Sequence, residues 1–80
     1  MSKTLEELGY EKNKGDWNIV IYMKKGEKGP YHNYFISFDK EDRIVEAYES
    51  LGASTFSKEL AMEELKAIYK WCEDKGWIDE

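Results

Sequence analysis

The chain has little of the chemistry on which most enzymes, metal sites and secreted domains depend. Its 80 residues include one cysteine, one histidine and one proline. The single cysteine, Cys72, has no intramolecular disulfide partner, so the fold must depend on its own core. The longest apolar run covers only residues 19–23, which excludes a transmembrane helix. Because the N-terminal segment is charged, we expect no signal peptide and a cytoplasmic protein.

Reactive side chains are too few to form the familiar catalytic arrangements. A nucleophilic pair would need Cys72 and His32 in hydrogen-bond contact with a third group that orients the imidazole. Cys72 falls on an apolar helical stripe, where a thiol usually serves as a small core side chain. The chain also lacks a zinc ligand set, an EF-hand loop around the acidic run 39–42, and a phosphate-binding glycine motif. We therefore expect a non-catalytic protein that holds no metal and no cofactor.

What the sequence does contain is apolar and charged residues in quantity. Hydrophobic residues make up 41%, charged residues 36% and aromatic residues 15% of the chain. This apolar content favours a folded chain over a disordered one, and the length predicts one domain spanning residues 1–80. The net charge is −5, and residues 31–80 hold twelve acidic against six basic residues. An acidic surface repels nucleic acid and attracts basic proteins, although it also serves solubility alone.

The secondary-structure pattern predicts an α+β domain. A short N-terminal helix is expected over residues 4–10, where Thr4 and Glu7 have capping-box spacing, Ser2 is a competing N-cap, and Gly9 ends the helix. Strands are expected at residues 17–23, 31–38 and 43–49, and their short connections predict an antiparallel meander. Residues 55–60 fit either a fourth short strand or an early start of the next helix.

A C-terminal helix is predicted over residues 62–75. Ala61, Leu65, Ile68 and Cys72 fall on one helical face, which we expect to pack on one face of the sheet. Gly76 and Trp77 have the spacing of a helix ending in which the tryptophan covers the last turn.

Side chains alternate along strands, so the strands assign residues to two sheet faces. We predict that the helix covers Ile19, Ile21, Tyr34, Ile36, Phe38, Val45 and Ala47, although the third strand also allows the opposite phase, with Ile44 and Tyr48 towards the helix. The other face then carries Val20, Tyr22, Tyr31, Phe35, Ile44 and Tyr48. A solvated sheet face is normally polar, so this second apolar face requires an explanation. Three remain open: the N-terminal helix covers it, another protein or a second copy pairs with it, or its aromatic rings stack on nucleic-acid bases.

Both ends of the chain carry motifs with a resemblance to known proteins. The opening Leu8-Gly9-Tyr10 and the closing segments 62–68 (MEELKAI) and 72–77 (CEDKGW) resemble small proteins encoded by phages and prophages of low-GC Gram-positive bacteria. This chain departs from their closing pattern at Trp71, Asp74 and Lys75. The resemblance implies no catalytic residue. It implies an accessory protein that binds and blocks a host protein, for example a bacterial defence protein such as a CRISPR effector.

These observations predict a non-catalytic protein that acts by binding another protein. Two surfaces are candidates for the contact. The first is aromatic and comprises Tyr22, Tyr31, Phe35 and Tyr48; the second is acidic and comprises Glu63, Glu64, Glu73 and Asp74. The alternatives are a single-stranded nucleic-acid-binding module, which the acidic charge disfavours, and a self-associating domain such as a homodimer. No membrane partner is expected.

Overall fold

A computed structural model describes residues 3–13 and 17–78 of the chain. Five strands form one antiparallel sheet in which spatial order follows chain order: β1 (Glu11–Asn13), β2 (Ile19–Lys25), β3 (His32–Asp39), β4 (Ile44–Leu51) and β5 (Ser54–Ser57). One helix, α1 (Met62–Asp74), follows the sheet. The α+β class is confirmed. The expectations of three strands and of a short N-terminal helix are wrong.

The N-terminal segment forms a hydrogen-bonded turn over residues 5–9 instead of a helix. The capping-box bonds are present, since Thr4 N donates to Glu7 Oε1 at 2.9 Å and Glu7 N to Thr4 Oγ1 at 3.2 Å. The ending is also present: Gly9 has φ +98° and Tyr10 N donates to Leu5 O at 3.0 Å. The helix-start signal at Thr4 and the helix-end signal at Gly9 lie so close together that only one turn fits between them. Ser2, the competing cap, lies outside the described residues.

The end of α1 repeats this ending and confirms its prediction. Gly76 has φ +75°, Gly76 N donates to Glu73 O at 3.0 Å, and Trp77 N donates to Cys72 O at 2.9 Å. These two bonds define a Schellman motif. Trp77 then packs edge-on against Trp71, with the ring centroids 5.1 Å apart.

The two additional strands lie at the edges of the sheet. β5 confirms the expectation of a further strand after β4, and the alternative of an early helix start is wrong. β1 lies in the polar stretch 11–16, for which the sequence predicts no strand; residues 14–16 of this stretch lie outside the described part. Its sequence, Glu-Lys-Asn, has no strand-forming side chain, so pairing with β2 alone determines its conformation.

The core lies between α1 and one face of the sheet. Val20, Tyr22, Ile36 and Phe38 pack there against Ala67, Ile68 and Cys72 of the helix, and Leu5 and Tyr10 of the N-terminal turn close one side. The indole of Trp71 stacks on Phe38 at 3.8 Å and its Nε1 donates to the Tyr22 hydroxyl at 3.1 Å. The N-terminal turn therefore contributes to the helix side and does not cover the opposite face.

The predicted faces are correct for β3 and β4 but inverted for β2. Ile19 and Ile21 lie on the face away from α1, whereas Val20 and Tyr22 are buried beneath it. Both sets of β2 positions are apolar, so alternation alone does not distinguish them. Tyr22 is accommodated in the core because Trp71 satisfies its hydroxyl group.

The buried stripe of α1 also differs from the predicted one. Ile68 and Cys72 are buried as expected, but Ala61 and Leu65 are exposed. Their places on the sheet side are taken by Ala67, which is buried, and by the half-buried side chain of Glu64. Glu64 is tolerated there because it accepts hydrogen bonds from three groups, one of them the Tyr10 hydroxyl.

Candidate protein-binding surface

The side of the sheet that faces away from α1 is here called the outer face. Because directly paired residues in neighbouring strands share a face, the register defines its members. Within residues 3–13 and 17–78, no helix or loop packs over it: α1 and the N-terminal turn both belong to the core on the other side. Among the described residues, the outer face is therefore a side of the sheet over which no other element packs.

The centre of the outer face is a row of three large side chains that runs across the strands. Met23 on β2 pairs with Phe35 on β3, and Phe35 pairs with Tyr48 on β4. The rings of Phe35 and Tyr48 are stacked, with centroids 5.1 Å apart and planes inclined by 18°. Offset-stacked aromatic pairs of this kind stabilise each other beyond the area that they bury.

Branched aliphatic residues and two exposed aromatic rings extend this surface towards its ends. Ile19 and Ile21 on β2 and Ile44 on β4 line a shallow concavity of about 730 Å³ beside the central row. Trp17 lies just before β2 and is 88% exposed. At the opposite end Tyr31 precedes β3 and is 73% exposed. Exposed tryptophan and tyrosine are the residues most enriched at sites of protein contact.

The charged groups of the outer face are mostly acidic. Glu11 pairs with Met23, Asp39 pairs with Ile19 and Ile44, and Glu46 pairs with Ser37, which places three carboxylates on this side of the sheet. Lys25, at the end of β2, is the basic residue on the same side. The outer face thus combines an apolar row with charged groups that are predominantly negative, one of them, Glu46, within the sheet between Ile44 and Tyr48.

Three of the four aromatic residues predicted from the sequence are accessible on or beside this face. Phe35 and Tyr48 form its centre and Tyr31 lies at its end. Tyr22 does not belong to it, because its side chain is 4% exposed and contacts Trp71 in the core. Sequence reasoning missed Ile19, Ile21, Met23 and Trp17. The alternation of side chains along β2 identifies these residues once Tyr22 is known to face α1. The odd-numbered positions then face the opposite side of the sheet.

The four acidic residues proposed from the sequence do not form one exposed set in the structure. Glu63, Glu73 and Asp74 are exposed on α1. Glu64 is instead a structural residue: its carboxylate accepts hydrogen bonds from Lys58 Nζ at 2.8 Å, from Ala61 N at 3.0 Å and from the Tyr10 hydroxyl. Burial and the Glu64 contact raise the pKa of the Tyr10 hydroxyl, so it remains a neutral donor.

A second exposed apolar surface lies on the solvent side of α1. Met62, Leu65 and Tyr69 are 65%, 44% and 52% exposed and recur at helical spacing. Lys66 and Glu73 interleave with them, so the charge around this stripe is mixed. The stripe contains a single aromatic ring, that of Tyr69, and lies away from the outer face, which makes it a suitable control surface for experiments.

The two reactive side chains, those of Cys72 and His32, both lie in the interior of the protein. Cys72 is buried in the core, and this burial raises the pKa of its thiol. His32 is fully buried, and both ring nitrogens are engaged, by Lys28 N and by Glu49 Oε1. Among the described residues, no three His, Cys, Asp or Glu side chains converge as a metal-binding group. In the same part of the chain, no helix has the length and hydropathy needed to span a bilayer.

Comparison of the chain with protein families, with curated proteins and with solved structures gave no match.

Proposed function

We propose that this chain is a non-catalytic binding protein that docks its outer face onto another protein. The observation that carries the proposal is the uncovered apolar side of the sheet, centred on Met23, Phe35 and Tyr48. Monomeric proteins rarely expose large contiguous apolar patches, and those that do commonly use them for binding. Aromatic residues and methionine are also the types enriched at the centre of protein interfaces.

The charge of the outer face favours a basic partner. Among the described strand residues, the carboxylates of Glu11, Asp39 and Glu46 lie on this face together with the ammonium group of Lys25. A partner surface with lysine or arginine around an apolar patch complements this pattern. Nucleic acid is disfavoured because its phosphates would meet carboxylates. A symmetric dimer through this face is also disfavoured, because it would bring the outer-face carboxylates of the two copies close together.

The resemblance of the two chain ends to phage-encoded proteins extends the proposal to a class of target. Under it, the partner is a bacterial host or defence protein, with a CRISPR effector as one example, and binding blocks that protein. Blocking by contact requires no reactive group, which agrees with a surface whose chemistry is apolar and electrostatic.

A comparative capture experiment tests the proposal. The tagged chain and a variant with Phe35→Thr and Tyr48→Thr are incubated with a nuclease-treated bacterial lysate, and the retained proteins are quantified by mass spectrometry. Threonine keeps strand propensity while it removes the stacked rings. The control variant carries Leu65→Gln and Tyr69→Gln on the exposed stripe of α1.

We expect a basic protein to be retained by the wild type and by the helix control, and lost from the outer-face variant. Raising the salt concentration should weaken its retention without abolishing it, because the contact combines charge with apolar burial. Equal retention by all three proteins would refute the outer face as the binding surface. Retention only before nuclease treatment would instead indicate a nucleic-acid partner.

A further inference from the structure

A buried histidine holds the hairpin loop between β2 and β3. His32 is 0% exposed and lies beneath loop residues 26–31. Its Nδ1 accepts a hydrogen bond from Lys28 N at 3.1 Å, and its Nε2 lies 3.3 Å from Glu49 Oε1 on β4. The backbone also closes the loop, since Gly26 N donates to His32 O at 2.8 Å. The imidazole therefore joins the loop to the sheet.

These contacts determine the protonation state of the ring. A backbone N–H is only a donor, so Nδ1 must present its lone pair to Lys28. A carboxylate is an acceptor, so Nε2 must carry the hydrogen that points to Glu49. His32 is consequently the neutral tautomer with its proton on Nε2 whenever the loop is closed.

A second proton on the ring is incompatible with this closed loop. It would sit on Nδ1 and face the N–H of Lys28, so that a donor would meet a donor. Gly26 packs tightly against this edge of the ring, since a Cβ atom placed on it would lie only 2.0 Å from Nδ1. We infer that His32 is an acid-sensitive latch: protonation of its Nδ1 frees the part of the loop around Lys28 from the ring, while backbone bonds at Gly29 and Tyr31 still hold the loop ends.

The groups that face His32 make this event local. From β4, the Glu49 carboxylate attracts the imidazolium and keeps the ring in place. From β3, the Tyr34 ring packs edge-on at 4.7 Å and carries the Lys58 ammonium 5.0 Å from its centroid. The loop itself contributes the Lys28 N–H, which opposes the cation. The loop around Lys28 is therefore the segment expected to move away from the protonated ring, whereas β3 and β4 remain paired.

Nuclear magnetic resonance of the free chain tests the latch, so its outcome is independent of the proposed binding function. Since His32 is the single histidine, every imidazole signal belongs to it. Ring nitrogen shifts and the Lys28 amide are followed as the pH is lowered stepwise until the fold is lost. We expect the Nε2–H tautomer at high pH. As the ring is protonated, exchange of the Lys28 amide, corrected for the intrinsic pH effect, should accelerate about fivefold or more.

Two charge variants on β4 test the latch further. Glu49→Gln removes the carboxylate that favours the imidazolium and should move loop release to lower pH. Glu46→Gln, on the same strand but on the outer face, should leave the release unchanged. The inference is overturned if Lys28 stays protected while the ring is protonated. It is equally overturned if the high-pH tautomer carries its proton on Nδ1, or if the ring takes up no proton before global unfolding.

Discussion

Replacing Glu64 with glutamine removes the negative charge and one of the two acceptor oxygens that connect three segments to the start of α1. Its carboxylate receives the Tyr10 hydroxyl from the N-terminal turn, the Lys58 ammonium from the segment after β5, and the Ala61 amide of the helix cap. The Lys58 and Glu64 side chains are only 9% and 13% exposed. Each contact is thus made with little competition from water, and Glu64→Gln should destabilise the fold strongly.

The magnitude follows from the number and burial of these contacts. A hydrogen bond to a charged group contributes about 1.5–3 kcal/mol, and breaking one partner of a buried ion pair costs about 3–5 kcal/mol. The glutamine oxygen keeps part of the Lys58 and Ala61 interactions, and the pair is not fully buried. We therefore expect a loss of about 2–3 kcal/mol, a large part of the roughly 4–12 kcal/mol typical of a chain this long.

The pH dependence of this contribution has a definite sign. Partial desolvation raises the pKa of Glu64, but hydrogen bonds from Lys58, Tyr10 and Ala61 outweigh it and hold the pKa below its usual value of 4.5. The stabilisation is complete above the unfolded-state pKa and disappears as pH falls through the lower folded-state pKa. The stability difference between wild type and Glu64→Gln should therefore shrink below about pH 4.5.

Urea denaturation at several pH values measures both quantities. The matched control is Glu63→Gln, which removes the same charge from the same first turn at an exposed position, and which should change stability by less than about 0.5 kcal/mol. The double variant Lys58→Met with Glu64→Gln should recover part of the loss, because no unpaired ammonium remains. If Glu64→Gln is no more destabilising than Glu63→Gln, the structural role of the carboxylate is refuted.

Three further outcomes follow from single contacts. Gly26→Ala should destabilise by about 2–4 kcal/mol in urea denaturation, because its Cβ would meet the His32 ring at 2.0 Å; an unchanged midpoint would contradict this packing. Tyr22→Phe should cost about 1–2 kcal/mol, because the Trp71 N–H loses its acceptor, and a neutral result would contradict the bond. Burial raises the pKa of Cys72, so a thiol reagent at pH 8 should label it slowly in buffer and rapidly in denaturant; equally fast labelling would exclude a buried thiol.

The sequence predicts most of the local structure correctly where one signal dominates. The α1 ending at Gly76 and Trp77 forms as expected, because a glycine that accepts positive φ leaves few alternatives. The capping-box bonds of Thr4 and Glu7 form as well, although the segment is too short to continue as a helix. β1 is not predicted, because its polar side chains do not favour a strand and its conformation depends on pairing with β2.

The binding surface is harder to predict because it depends on the phase of one strand. In β2, odd and even positions are both apolar, and only packing against α1 decides which set is buried. The deciding contact is the bond from the Trp71 indole to Tyr22, which joins residues remote in sequence. The position of Phe35 follows from the clearer alternation of β3, whereas the phase of β4 stays open in the sequence and is determined by its pairing with β3.

The central claim is that partner contact occurs on the outer face and leaves the exposed side of α1 free. Hydroxyl-radical footprinting read by mass spectrometry tests it directly once a captured partner is available, because methionine and aromatic side chains are oxidised according to exposure. Each surface provides a matching pair: Met23 and Tyr48 on the outer face, Met62 and Tyr69 on the helix. We predict that the partner protects Met23 and Tyr48, together with exposed Trp17, while Met62 and Tyr69 remain as reactive as in the free chain. Protection of Met62 and Tyr69 with unchanged oxidation of Met23 and Tyr48 would contradict the account.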